Sequence, residues 1–321
     1  MRIVYWARLQ LAKALVIEQL GAVPGVELTV AENLPALLAA MPGAAGIVLY
    51  DAPPAEARQV IDALRAPGNA VRWLHFLTAG REGFDAIGIP AGFAVTYAAG
   101  GAAPAVAEHA MALLLALGRR VPDVLAQQAQ GKWDRTPATR ASSLEGKTLA
   151  IVGFGHIGRE LARRARPFGA KIIGLSRSAK PDPLLDEARP LTELHAVLAR
   201  SDVVVVAIAL AAETRHLLDR AAFAAVKPGA HLVNVARGGV IDQAALVEAL
   251  TSGKLGGAGL DVTDPEPLPA GNPLWACPNL ILSPHYAGGG SAATLARLAG
   301  GAAENLRRFA AGEPLLHQVS A

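Results

Sequence analysis

Residues 147–177, KTLAIVGFGHIGRELARRARPFGAKIIGLSR, constrain the fold more than any other stretch of this chain. They read as a strand, a tight glycine turn, a helix and a second strand. The run 148–152 is short, apolar and rich in branched residues, as strands are. Gly153, Gly155 and Gly158 follow in G-x-G-x-x-G spacing. Apolar residues then recur at helical intervals over 157–168, Gly169 stops the helix, and 170–175 is the next strand. In this setting Gly153 makes the turn, Gly155 lets the backbone approach a pyrophosphate, and Gly158 lets helix and strand pack closely. The free N–H groups and positive dipole end of the helix then face the phosphates. A bare G-x-G-x-x-G also marks ordinary turns. With a strand before it and a helix after it, it points to a dinucleotide site that includes His156 and Ile157 between the glycines.

The end of the second strand bears on which dinucleotide. A site for NAD usually carries an acidic residue there, about 20 residues past the glycines, for the ribose 2′-hydroxyl. Here the chain runs Ser176-Arg177-Ser178, then Lys180, with no carboxylate before Asp182. A guanidinium and two hydroxyls suit a 2′-phosphate. The expectation is NADP(H), with NAD(H) second; the structural alternative is a solvated basic loop.

A length of 321 residues suggests two domains, and a hydrophobic share of 52% supports a large core. The net charge is only +3, without a run of five basic residues, so no nucleic-acid partner is expected. Cys277 is the only cysteine, which rules out an intrachain disulfide and fits a reducing compartment. The opening MRIVYWAR lacks the apolar region of a signal peptide, and the apolar run 110–117 is too short for a bilayer. A cytoplasmic protein with no membrane partner is the expectation. There is no G-x-S-x-G, no H-E-x-x-H, no cysteine cluster and no Walker A pattern, so neither a hydrolase elbow nor a metal is expected.

Residues 1–98 alternate strands (2–6, 26–30, 46–50, 71–77, 93–97) with helices (9–20, 34–40, 54–65), which implies a parallel sheet covered on both faces. Thr78-Ala79-Gly80 directly follows the fourth strand, where backbone N–H groups can meet an anion. A turn without a ligand is the alternative. The segment 100–104 is a crossing between domains, and 106–117 is a helix apolar nearly all round, hence buried. Glu108 and His109 near its start read as structural. After the glycine stretch, strands are expected at 203–208, 232–235, 259–262 and 280–282, with helices at 191–199, 220–225 and 243–251. A final helix, 291–309, is expected to return to the first domain.

Three polar residues follow strand ends in the second half: Arg237 before Gly238-Gly239, Glu266 in Asp264-Pro-Glu-Pro-Leu268, and His285 in Ser283-Pro-His285. Such ends border the ligand crevice of a doubly wound sheet. Asp261 reaches the same crevice, and Ala236 belongs with the cofactor-binding residues. Reduction of a ketone by hydride needs a proton donor, which histidine supplies near neutral pH. A carboxylate beside it stabilises the imidazolium. A guanidinium binds a substrate carboxylate through two parallel donors. Taken singly, Glu266 has a reading as a turn residue, His285 as a satisfied loop histidine and Arg237 as a helix cap.

With these motifs in view, the chain resembles the D-isomer-specific 2-hydroxyacid dehydrogenase family. The carriers are Val106-Ala-Glu-His-Ala110, Leu144-Glu-Gly-Lys-Thr148, Gly153-Phe-Gly-His-Ile-Gly158, Asn234-Val-Ala-Arg-Gly-Gly-Val240, Gly259-Leu-Asp-Val262 with Glu266-Pro-Leu268, and Ser283-Pro-His285. The resemblance implies an α/β fold of two doubly wound parallel-sheet domains, with a Rossmann cofactor domain (99–286) inserted into a flavodoxin-like substrate domain (1–98 and 287–321). It implies a homodimer with the helix after the first hinge at the interface. His285 becomes the acid/base, Glu266 its partner, Arg237 the carboxylate anchor, and Asp261 the holder of the nicotinamide carboxamide. Thr78, Ala79 and Gly80, with Arg237 and His285, become the substrate-binding residues. Glu266 in place of an amide speaks against the formate dehydrogenase branch. Arg81, Tyr97, Ala209 and Ala211 depart from the family's usual residues and bear on the pocket rather than the reaction. The expected activity is reduction of a small 2-oxo acid, of glyoxylate or hydroxypyruvate type, to the D-2-hydroxy acid. The alternatives are a phosphoglycerate-type dehydrogenase running oxidatively and a dinucleotide-sensing corepressor-like binding protein.

Overall fold

The structure, a computed structural model, describes residues 1–289 and 291–319. The chain divides into two compact units, residues 1–102 with the segment from Gly289 onward, and Ala103–Gly288.

In the first unit, β1 (Arg2–Trp6), β2 (Glu27–Ala31), β3 (Gly46–Leu49), β4 (Trp73–Phe76) and β5 (Ala94–Tyr97) form a parallel sheet in the order β2-β1-β3-β4-β5. This is the flavodoxin-like order. A two-residue strand, Gln318–Val319, adds antiparallel to β5 and was not expected, since two residues carry no periodicity. Alternate side chains of β1 enter two cores: Val4 and Trp6 pack with Leu74 and Phe76, and Ile3 and Tyr5 with Val48 and Trp73. Burial on both faces is why these strands are continuously apolar. The first helix is Lys13–Gly21 rather than 9–20; Leu9 and Leu11 stay exposed and Ala12 turns into the left-handed region at φ 57°. The final helix, Ala292–Ala311, places Ala299, Ala302, Ala303 and Leu306 in the Tyr5–Trp73 core, where Phe309 stacks on Trp73.

The second unit holds β6 (Thr148–Val152), β7 (Lys171–Ser176), β8 (Glu187–Pro190), β9 (Val203–Val206), β10 (Ala230–Asn234), β11 (Leu255–Leu260) and β12 (Leu280–Leu282). All are parallel, in the order β12-β11-β10-β9-β6-β7-β8. That is the dinucleotide-binding order with a seventh strand added, and its direction of growth reverses between β6 and β9. The expected six strands omitted β8, an edge strand of Glu187-Ala-Arg-Pro190 whose polar residues hide it. The strand expected at 259–262 lies instead at Leu255–Leu260, within Leu-Gly-Gly-Ala-Gly-Leu. The helix Ala103–Gly118 lies across it: a Cβ at Gly259 would sit 3.0 Å from Leu113, and one at Gly257 3.2 Å from Leu117. Close packing therefore puts glycine where strand propensity would not. Between the helix Ala103–Gly118 and β6 lies a further helix, Val121–Ala129. Among the described residues no helix is long and apolar enough to cross a membrane.

Candidate active site

The turn after β6 requires glycine at two of its three positions. Gly153 adopts φ 101°, and a Cβ there would lie 2.5 Å from Ile208 N and 2.6 Å from the Ala207 carbonyl. A Cβ on Gly158 would strike the Gly153 carbonyl. Both are excluded by backbone, which does not yield as a flexible side chain does. Gly155 differs: nothing lies within 4 Å of where its Cβ would be. Its missing side chain leaves open space beside the N-terminus of the helix His156–Ala165, and no side chain caps that terminus. A helix end with uncapped N–H donors and an open approach fits a pyrophosphate.

Past β7, Ser176 ends the strand and its Oγ accepts a hydrogen bond from Ala179 N at 3.1 Å, closing the turn. Arg177 and Ser178 are exposed, and Arg177 forms no ion pair among the described residues. Asp182, the first carboxylate beyond the strand, is committed elsewhere. It pairs with Arg159 and accepts from Leu184 N at 3.0 Å.

The C-terminal ends of β10, β11 and β12 carry the second group. Fully buried Asn234 closes the loop after β10: its Nδ2 donates to Arg237 O at 3.0 Å and its Oδ1 accepts from Ala236 N at 3.0 Å. Arg237 Nη1 donates to Ala236 O at 2.7 Å. The loop after β11 presses on this one. A Cβ on Gly238 would fall on the Thr263 backbone and 2.6 Å from Asp264 N. Thr263 N in turn donates to Glu266 Oε1 at 3.0 Å, and Glu266 Oε2 faces His285 Nδ1 at 2.7 Å. One continuous contact thus links the Arg237 loop to the Glu266–His285 pair.

The electrostatics follow the geometry. The hydrogen bond to Glu266 raises the His285 pKa above its ordinary value, outweighing desolvation, and the charges of Glu266 and Asp261 add to it against Arg237. Burial pushes the Glu266 carboxyl up, but the hydrogen bonds from His285 and Thr263 leave it below its usual value. An imidazolium and a carboxylate are mutually stabilised in a half-open setting.

Asp261 lies one residue past β11, not on the strand, and is 2% exposed. Its Oδ1 accepts from Ser283 Oγ at 2.7 Å and Tyr286 N at 3.2 Å, and its Oδ2 from Ala287 N at 3.1 Å. It clasps the loop that carries His285. The sequence marks Ser283 only as part of Ser283-Pro-His285 and gives Thr263 no role. Ser283 lies two residues before His285, yet its use became visible only when the loop was seen folded over Asp261.

In the first unit, Thr78 Oγ1 donates to Gly80 O at 2.8 Å after β4, and the N–H groups of Ala79 and Gly80 find no acceptor among the described residues. Arg81 does not point to solvent: its side chain is 18% exposed and pairs with Asp85 at 3.2 Å. Tyr97 ends β5, with its ring edge-on to His317. Ala209 O and Ala211 N are both tied to Thr214 Oγ1, at 2.8 and 2.7 Å. A cavity of about 820 Å³ in the second unit is lined by Arg119, Lys147, Asp202, Lys227 and His231 among others. Lys147, Asp202 and His231 stand at the starts of β6, β9 and β10, so the cavity is at the opposite edge of the sheet from the His285–Glu266 pair.

An all-parallel sheet in dinucleotide-binding order, an open glycine cradle and a histidine–carboxylate pair at the strand ends define a nicotinamide-dinucleotide oxidoreductase. Residues 111–287 match the family model described as D-isomer specific 2-hydroxyacid dehydrogenase, NAD binding domain. The chain belongs to this family, whose members are NAD(P)-dependent oxidoreductases acting on CH–OH groups. It is 39% identical over 230 residues to a glyoxylate reductase of Thermococcus litoralis, covering 69% of this chain and 68% of that one. It is 37% identical over 235 residues to a D-3-phosphoglycerate dehydrogenase of Bacillus subtilis, covering 71% of this chain but only 43% of that longer one. Among solved structures, a D-isomer specific 2-hydroxyacid dehydrogenase family protein from Aeromonas salmonicida is similar over 99% of this chain and 98% of its own, with TM-score 0.86 and 30% identity. A D-isomer specific 2-hydroxyacid dehydrogenase from Xanthobacter autotrophicus, solved with NADPH and MES, has TM-score 0.81 and 26% identity, covering 99% and 98%.

Proposed function

We propose that the protein reduces a small 2-oxo acid, of glyoxylate or hydroxypyruvate type, to the D-2-hydroxy acid, with NADPH preferred over NADH. The His285–Glu266 pair at 2.7 Å is the observation that supports this most directly. When bound, the nicotinamide supplies hydride to the carbonyl carbon. His285, as an imidazolium that Glu266 stabilises through Nδ1, holds a proton on Nε2 for the carbonyl oxygen and becomes neutral as that proton is given up. Arg237 binds the substrate carboxylate and polarises the adjacent carbonyl. Within the first unit, the N–H groups of Ala79 and Gly80, in the turn that Thr78 shapes, are proposed as an anion-binding turn for a substrate carboxylate. Gly153, Gly155 and Gly158 with His156 and Ile157 would hold the pyrophosphate. Ala236 and the remaining lone pair of Asp261 Oδ2 would meet the nicotinamide side. Ser176, Arg177 and Ser178 would bind the 2′-phosphate, since Asp182 is occupied by Arg159.

The deciding experiment is dinucleotide oxidation with glyoxylate, hydroxypyruvate and larger 2-oxo acids, using NADPH and NADH in parallel. Turnover with the small acids is expected. Removing a charge-assisted hydrogen bond costs about 1.5–3 kcal/mol, so Arg177→Ala should raise KM for NADPH at least tenfold and leave NADH nearly unchanged. Equal efficiency with both dinucleotides in the native protein would sink the cofactor assignment. Activity only as oxidation of a phosphorylated 2-hydroxy acid would favour the phosphoglycerate-type reading, and dinucleotide binding without turnover the corepressor-like one.

A homodimer is proposed as well. Val121, Val124 and Leu125 line one face of their helix at 40%, 48% and 57% exposure, and Trp133 nearby is 96% exposed. Such apolar patches mark interaction sites. Sedimentation should report twice the mass of the 33.0 kDa chain, and a monomer at micromolar concentration would refute it.

A further inference from the structure

His109 reads from the sequence as a structural residue of a buried helix, and the proposed reaction does not use it. Its surroundings in the second unit are specific. Nε2 lies 2.9 Å from Ser283 Oγ and 3.4 Å from Asp261 Oδ1. Its ring meets Tyr286 edge to face, centroids 4.9 Å apart. Ser283 and Tyr286 flank Pro284 and His285, so His109 touches the histidine-bearing loop on both sides of the proposed acid.

The direction of the hydrogen bonds follows from counting protons. Both Asp261 oxygens accept backbone N–H groups of the loop, so the carboxylate acts as an acceptor toward Ser283 as well. Ser283 has one hydroxyl proton, and the 2.7 Å bond to Asp261 Oδ1 uses it. Its remaining capacity toward His109 is a lone pair. His109 must therefore carry its proton on Nε2 and donate. The chain runs from His109 Nε2–H to Ser283 Oγ–H to Asp261, which also receives Tyr286 N and Ala287 N while its own carbonyl accepts His285 N at 2.8 Å. His285 itself sits at φ 50°, a left-handed conformation that a non-glycine residue holds only when its neighbours impose it.

We infer that His109 is a positioning residue for the proposed reaction: from the helix Ala103–Gly118 it locks the Ser283–Asp261 clasp that keeps His285 in its left-handed backbone conformation and aimed at Glu266. This rests on the reading of His285 as the acid. Burial beneath the loop makes the clasp effective, because Asp261 is 2% and the His109 side chain 13% exposed, and bonds there are not traded for water. A shift of about 1 Å in a catalytic group costs up to 100-fold.

The test compares His109→Ala, His109→Gln and Ser283→Ala with the native protein. Glutamine can place an amide N–H near the Nε2 position, whereas alanine cannot donate. His109→Ala and Ser283→Ala are expected to lower kcat about tenfold or more, with dinucleotide affinity changed less than about twofold. His109→Gln should recover to within about threefold of the native rate. In the cofactor-free protein, NMR titration of His285, assigned by loss of its signal in His285→Gln, should move toward the ordinary histidine range in both alanine variants. The groups acting on it are otherwise unchanged: Glu266, Arg237 and Asp261. A His109→Ala protein with native kcat and native His285 titration overturns the inference. If that variant fails to fold, Ser283→Ala decides by the same two readouts. If the native protein turns over no 2-oxo acid, the functional reading falls, while the NMR titration still decides the clasp.

Discussion

Replacing His285 with glutamine is expected to lower kcat for 2-oxo acid reduction about 1,000-fold while leaving dinucleotide binding within about threefold, since a positioned general acid contributes 10²–10⁴-fold. Glutamine keeps the bulk and a polar contact to Glu266 but cannot deliver a proton. The pH dependence is the second half of the expectation. Reduction needs the imidazolium, so kcat/KM should be flat on the acid side and fall as pH rises through the His285 pKa. That pKa is raised by Glu266, so the fall lies above the usual histidine range. Oxidation of the hydroxy acid needs neutral imidazole and should rise over the same interval. Glu266→Gln removes the main cause of the shift and should move the fall to lower pH. Steady-state pH profiles of the three proteins check this, and a His285→Gln enzyme retaining more than a tenth of native kcat would remove His285 from the role.

Gly238→Ala should lower kcat at least 100-fold and also lower the melting temperature, although alanine is the smallest change available. The added Cβ has nowhere to go: it meets the main chain of Thr263 and Asp264, not a side chain that can swing away. The loops after β10 and β11 must separate, and the separation travels along Thr263 N to Glu266 and on to His285. Overpacking of this kind costs about 1–3 kcal/mol in stability, whereas a displacement of about 1 Å at the reacting groups costs about 100-fold in rate. The functional loss should therefore exceed what partial unfolding explains. Kinetics below the melting transition, read beside calorimetry, separate the two. A fully active Gly238→Ala enzyme would mean that the loop contact does not position the site.

The same contact explains how far the site was legible beforehand. Gly153 and Gly158 are legible because their constraints are local: strand, turn and helix are contiguous, and the proposed phosphate cradle spans about a dozen residues. Arg237, Glu266 and His285 could be singled out by position, since each follows a strand of a doubly wound sheet. What remained hidden was how they are held. Gly238 is required by a loop 25 residues away, and Ser283 acts through Asp261, 22 residues earlier. The resemblance gives Asp261 a place at the nicotinamide; its burial and its three loop donors follow from β11 and β12 lying side by side. The glycine-rich β11 starts four residues before, and ends two residues before, the expected 259–262, because its composition answers to the helix above it and not to strand propensity.

The sequence by itself determined the class of fold, the alternation of parallel strands and covering helices, the glycine turn proposed to hold a dinucleotide and the types of group available for proton and anion chemistry. These depend on hydrophobic pattern and on glycines whose neighbours lie close in the chain. Only the tertiary structure decided that Asp182 is taken by Arg159, that Glu266 faces His285, and that His109 reaches the loop 174 residues further on. Hydrogen bonds act over about 3 Å, and which groups come that close depends on how strands and loops distant in sequence pack together.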